Sequence, residues 1–78
     1  MWQEKNNQLR RKFKFENFKE ALDFVNQVGE LAEKASHHPD ISFGWGYVEI
    51  SLTTHSEDGV TEKDRDLARQ IDNLGHSV

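Results

Sequence analysis

The chain has 78 residues, 35% hydrophobic and 31% charged, with a net charge of -4 at pH 7 when histidine is neutral. That size predicts one domain, residues 1–78, whose folding hides only about 60% of the unfolded surface, so the core is thin and self-association is expected. The composition excludes a bilayer-spanning segment of roughly 20 apolar residues and, since there is no cysteine, a disulfide or thiolate zinc site; it shows no strong nucleic-acid footprint, no signal peptide is expected, and a cytoplasmic protein is expected.

In chain order, the stretch around Trp2 reads as a short strand. Leu9, Arg11, Phe13 and Phe15 then alternate with Arg10, Lys12 and Lys14, which predicts a strand with one apolar and one basic, solvated face. Asn17 followed by Glu20 fits an N-cap with a glutamate at N3. Phe18, Ala21, Leu22, Val25, Val28 and Ala32 follow at helical spacing. The helix has to stop near Ser36 to His38, because Pro39 drives the residue before it out of the α region. Glu33 and His37 are thereby expected one turn apart on one helix face.

After Pro39, "ISFGWGYVEISL" reads as a hairpin. With Gly46 and Tyr47 as a two-residue type II′ loop, Trp45 pairs with Val48, Phe43 with Ile50 and Ile41 with Leu52. Every large apolar side chain then lies on one face, while Ser42, Glu49 and Ser51 take the other. Asp58 and Gly59 supply a turn, and Thr61 to Asp64 forms a capping box. Leu67, Ala68, Ile71 and Leu74 continue a second helix, with Gly75 as its stop. Together these predict an α+β two-layer sandwich, an antiparallel sheet with two helices packed on one face.

Extending that register to the open end of the hairpin sets His38 opposite His55, with Cβ atoms about 5 Å apart unless Pro39 breaks the ladder first. His37, His38 and His55 are therefore expected to converge near Glu33 and Asp64; His76, near the end of the chain, has no role. Imidazoles titrate near neutral pH, so such a cluster can keep one ring as acid and another as base. A metal held by Glu33, His37 and His55 is the rival reading. It lacks an HExxH pattern, and no metal is assigned.

The pattern Glu33, three residues, His37-His38-Pro39, five residues, Trp45, nine residues, His55, eight residues, Asp64 resembles the signature of pterin-4a-carbinolamine dehydratases. That family includes the dimerisation cofactor of hepatocyte nuclear factor. The segments "FKFENFKEALDFVNQVGELAEKASHHPDI" and "THSEDGVTEKDRDLARQID" carry the likeness over most of the chain. The resemblance implies elimination of water from a 4a-hydroxytetrahydropterin to give a quinonoid dihydropterin, without metal or organic cofactor. It implies catalysis by His37, His38 and His55, with Glu33 tuning His37 and Asp64 orienting an imidazole or the pterin. Pro39 would aim the histidines, and Trp45 would either wall the pterin or pack in the core. A homodimer or homotetramer, and an aromatic amino acid hydroxylase as the source of substrate, are also implied. Ser36, where many members carry aspartate, and a start almost directly at Trp2, where many begin with an additional N-terminal helix, are the expected departures from the family. An interaction module that stabilises a protein partner is the alternative from another functional class.

Overall fold

The computed structural model describes residues 1–74; Gly75 and His76, for which a helix stop and no role were expected, lie outside them. The elements run β1 (Gln3–Lys5), β2 (Gln8–Lys14), α1 (Phe18–Ala35), β3 (Asp40–Gly44), β4 (Tyr47–Leu52), a 3₁₀ turn (His55–Glu57) and α2 (Glu62–Asp72). All strand pairs are antiparallel, in the order β1-β2-β4-β3. Both helices lie on one face, as the apolar alternation predicts.

The two hairpins turn by different means. Asn6 and Asn7 both adopt left-handed φ, 53° and 63°, as a two-residue type I′ connection demands and as asparagine tolerates better than most residues. In the β3–β4 hairpin the loop is Trp45-Gly46, with Gly46 at φ 80°, so Gly44 pairs with Tyr47, Phe43 with Val48 and Ile41 with Ile50. This corrects the expected register by two residues. The Tyr47 ring lies across Gly44, where any Cβ would come within 2.9 Å of it, a close approach that only glycine permits. A shift of two keeps every side chain on its face, so the apolar pattern alone fits both registers.

Val48, Ile50 and Leu52 of β4, with Leu9 and Phe13 of β2, meet Ala21, Phe24, Val28 and Ala32 of α1 and Leu67, Ala68 and Ile71 of α2 in one core. Phe24, absent from the expected helical stripe, packs against Phe13 and Phe15 at centroid distances of 4.8 and 5.1 Å. Phe18, counted in that stripe, is instead half exposed and stacks on Phe43. Arg11 shares the apolar face of β2. Its guanidinium covers the Phe13 ring and bonds Asp72 at 2.8 Å, while the Trp2 indole N–H donates to the same carboxylate at 2.9 Å. These contacts tie β1 and β2 to the end of α2.

Two glycines give a test of opposite sign. At Gly46 a side chain is strained by φ 80° and meets the Phe15 carbonyl oxygen at 3.2 Å, so Gly46→Ala is expected to cost about 1–2 kcal/mol. Gly29, inside α1, has open space where a Cβ would sit, and Gly29→Ala should add roughly 0.5–1 kcal/mol. Urea unfolding midpoints that move down and up respectively, with unchanged slope, are the expected outcome.

Candidate active site

The turn after α1 aims the two adjacent histidines. Asn17 starts the helix by accepting the Glu20 N–H at 2.9 Å, and Ser36 ends it in the left-handed conformation, φ 52° and ψ 39°. Ser36 N–H donates to Glu33 O at 3.2 Å and His37 N–H to Ala32 O at 3.1 Å, the paired closure that satisfies the last carbonyls of a helix. His37 therefore lies beyond the helix and off its Glu33 face. The expected pairing of Glu33 with His37 is corrected: Glu33 pairs with His38 Nε2, and both of those side chains are largely exposed. His37 instead crosses to α2, where its Nε2 meets Asp64 Oδ1 at 2.5 Å.

Asp64 is fully buried. At N3 of α2 it closes the capping box, its Oδ2 accepting the Thr61 N–H at 2.9 Å. The same oxygen accepts the Thr54 hydroxyl at 2.7 Å. The two readings of Asp64, helix cap and imidazole partner, are thus served by its two oxygens. Burial pushes its carboxyl up. The hydrogen bonds from His37, the Thr61 N–H and Thr54, with the imidazole charge, outweigh that and hold it below its ordinary value of 3.8. The group is ionised at neutral pH and can only accept. A neutral His37 therefore carries its hydrogen on Nε2, leaving the Nδ1 lone pair available.

His55 does not face His38. Pairing between β3 and β4 ends at Asp40 and Ser51, and His55 opens the 3₁₀ turn with its side chain exposed. It immediately follows Thr54, which is buried on Asp64. The carboxylate, and not the expected ladder, is what links the two histidine segments: one reaches it through His37, the other through Thr54. His38 and Pro39, with Gly29, Glu33 and Ile41, line an open hollow of about 830 Å³ between α1 and β3. Trp45 is neither in the core nor in the lining of that hollow. It sits at the hairpin tip, 73% exposed. Among the described residues no group of three or more His, Cys, Asp or Glu side chains is arranged to hold a metal ion, and no helix is long and apolar enough to cross a membrane.

Residues 1–74 match the family model described as pterin 4 alpha carbinolamine dehydratase. The chain belongs to the pterin-4a-carbinolamine dehydratase family. A relative from Rubrobacter xylanophilus, provisionally named a pterin-4-alpha-carbinolamine dehydratase, is 62% identical over 66 residues, which are 85% of this chain and 62% of the relative. The chain thus spans about three fifths of that protein. Among solved structures, a transcriptional coactivator/pterin dehydratase from Brucella melitensis superposes with a TM-score of 0.90 at 38% identity, over 96% of this chain and 82% of its own. A pterin dehydratase-like protein identified as a RuBisCO assembly factor in the alpha-carboxysome gives 0.78 at 29% identity, over 100% and 90%. The four-stranded sheet with two helices is the fold of this family.

The site residues that sequence reasoning missed are Thr54 and Gly59. Thr54 shows no signal beyond its place before His55. Gly59, expected only as part of a turn, pairs with Thr54 through backbone bonds of 2.9 and 3.3 Å that close the loop carrying His55.

The depressed Asp64 carboxyl makes stability depend on acid. A carboxyl held lower in the folded than in the unfolded chain contributes its full share above the unfolded value, and loses it as pH falls through the folded one. Wild type should therefore lose stability below about pH 4. Asp64→Asn should be weaker by about 2 kcal/mol at pH 7, with the gap closing as pH falls below 3.8. Thermal unfolding of both proteins from pH 7 to pH 2 measures this; parallel curves would contradict it.

Proposed function

We propose that this chain is a dehydratase acting on 4a-hydroxytetrahydropterin. The C4a hydroxyl leaves as water, and the neighbouring ring nitrogen N5 loses its proton and supplies the electrons of the new double bond in the quinonoid dihydropterin. Hydroxide leaves readily only when protonated, so the reaction needs a proton donor and an acceptor within reach of one flat ring. The observation that carries the reading is the His37–Asp64 pair. A buried, ionised carboxylate holds one imidazole by its Nε2 and leaves Nδ1 as the ring atom that can exchange a proton.

In this reading His37 exchanges its proton through Nδ1, while His38 and His55, both exposed, exchange protons with the ligand and with water. Glu33 orients His38, Asp64 orients His37, and Pro39 fixes the corner between α1 and β3. Trp45, exposed at the hairpin tip, lies outside the lining of the hollow beside His38. Of the three histidines only His38 lines the hollow, so a pterin that also reaches His37 and His55 has to extend beyond it. Neither metal nor organic cofactor takes part. A pterin-dependent aromatic amino acid hydroxylase would supply the substrate, and the cytoplasm is the compartment we assign. The sheet leaves β1 and β3 as open edges, which suits pairing of copies into a homodimer or homotetramer.

A second reading, a module that stabilises a protein partner with the histidine site secondary, is favoured by the RuBisCO assembly factor among the structural neighbours. One experiment separates the two. Carbinolamine is generated by a hydroxylase and its dehydration followed above the spontaneous rate. We expect His37→Ala and His55→Ala each to lower that rate on the order of 100-fold with secondary structure retained. Equal rates for wild type and both variants would overturn the dehydratase reading and leave the interaction module.

A further inference from the structure

Thr54 is one of only two buried polar or charged residues among the described ones, the other being Asp64. Its hydroxyl lies 2.7 Å from Asp64 Oδ2 and 2.8 Å from Thr61 Oγ1, while the Thr61 hydroxyl is 3.5 Å from that carboxylate oxygen. Each hydroxyl has one hydrogen to give. Were Thr54 to give its hydrogen to Thr61, a hydroxyl lone pair would face the buried carboxylate at 2.7 Å, and Asp64 would exchange that short bond for a marginal one from the Thr61 hydroxyl at 3.5 Å. The low-energy arrangement is therefore directional, with Thr61 O–H donating to Thr54 and Thr54 O–H donating to Asp64 Oδ2.

We propose that Thr54 is a positioning residue that, through this ordered hydroxyl chain, fixes the Asp64 carboxylate and so sets which nitrogen of His37 carries the proton. Oδ2 is occupied by the Thr54 hydroxyl and the Thr61 N–H. Only Oδ1 is left for His37, and the carboxylate cannot swing away without giving up both donors. An ionised acceptor held there keeps neutral His37 in the Nε2–H form, with Nδ1 as its proton-accepting atom. The backbone of Thr54 is equally constrained: its N–H donates to Gly59 O at 2.9 Å and its carbonyl accepts from Gly59 N–H at 3.3 Å. The backbone segment that turns Thr54 inward also turns His55 outward. Tautomer control at His37 and placement of His55 are thus two results of one anchored loop.

The effect on rate rests on the dehydratase reading; the effect on the tautomer does not. The test is nitrogen-15 NMR of histidine-labelled protein at a pH where His37 is neutral, combined with dehydration kinetics. Wild type is expected to show the Nε2–H form alone. Thr54→Val, which swaps the hydroxyl for a methyl, should bring in a measurable Nδ1–H fraction and lower kcat on the order of tenfold with KM unchanged. Thr54→Ser should restore both. Thr61→Ala interrupts the chain at its far end; a smaller Nδ1–H fraction there supports the proposal if Thr54→Val fails to fold, and its absence opposes it. A Val variant that keeps the wild-type tautomer overturns the proposal. So does a Ser variant as impaired as Val, which would trace the effect to packing. A tautomer change in a protein whose wild type shows no dehydration would support the role of Thr54 and sink the dehydratase reading instead.

Discussion

A carboxylate without solvent contact, on a sandwich only two layers thick, has to be held by donors from the chain itself. Asp64 takes them from three separate segments: His37 after α1, Thr54 after β4, and Thr61 at its own helix start. Burial opposes its charge and those bonds overcome the opposition. Leaving a buried charge unpaired is far costlier than the net gain from any one of these bonds. The three segments are accordingly committed to one another. That commitment sets the corner carrying His37 and His38 against the loop carrying His55.

The same constraint explains why the two neighbouring histidines differ in kind. His37 is mostly covered and leans on a carboxylate that water does not reach, whereas His38 and its partner Glu33 are largely exposed. Charges in contact with water are screened, so the Glu33–His38 pair contributes little to stability. A division between one fixed ring and two accessible ones suits a reaction that must move protons on and off a single heterocycle. Membership of the dehydratase family and this division point the same way, while the RuBisCO assembly factor among the structural neighbours is a reminder that one fold hosts different tasks.

Much of this architecture was legible in the sequence, and the failures have physical causes. The cap at Asn17, the capping box at Thr61 and the two-residue alternation of β2 are local signals, and they mark elements that the structure contains. The β3–β4 register was not legible, because a two-residue shift preserves every facing and a single glycine fits either of two loop positions. What decides it is the Tyr47 ring over Gly44, a contact across the hairpin. The partners of Glu33 and His37 were misread for a related reason. Helical spacing puts them together only if the helix continues, and Ser36 in the left-handed conformation turns the chain away first. Asn6-Asn7, by contrast, is a local turn signal that matches the β1–β2 connection. Thr54 could not have been found from spacing, since its importance comes from a carboxylate ten residues on.

On the proposed function, His37, His38 and His55 serve one pterin site. Titrating the protein with an unreactive reduced pterin while following the ring signals of His37, His38 and His55 tests it most directly. All three are expected to move along one saturation curve. Signals that stay fixed up to saturating pterin, or a response confined to one ring, would contradict it.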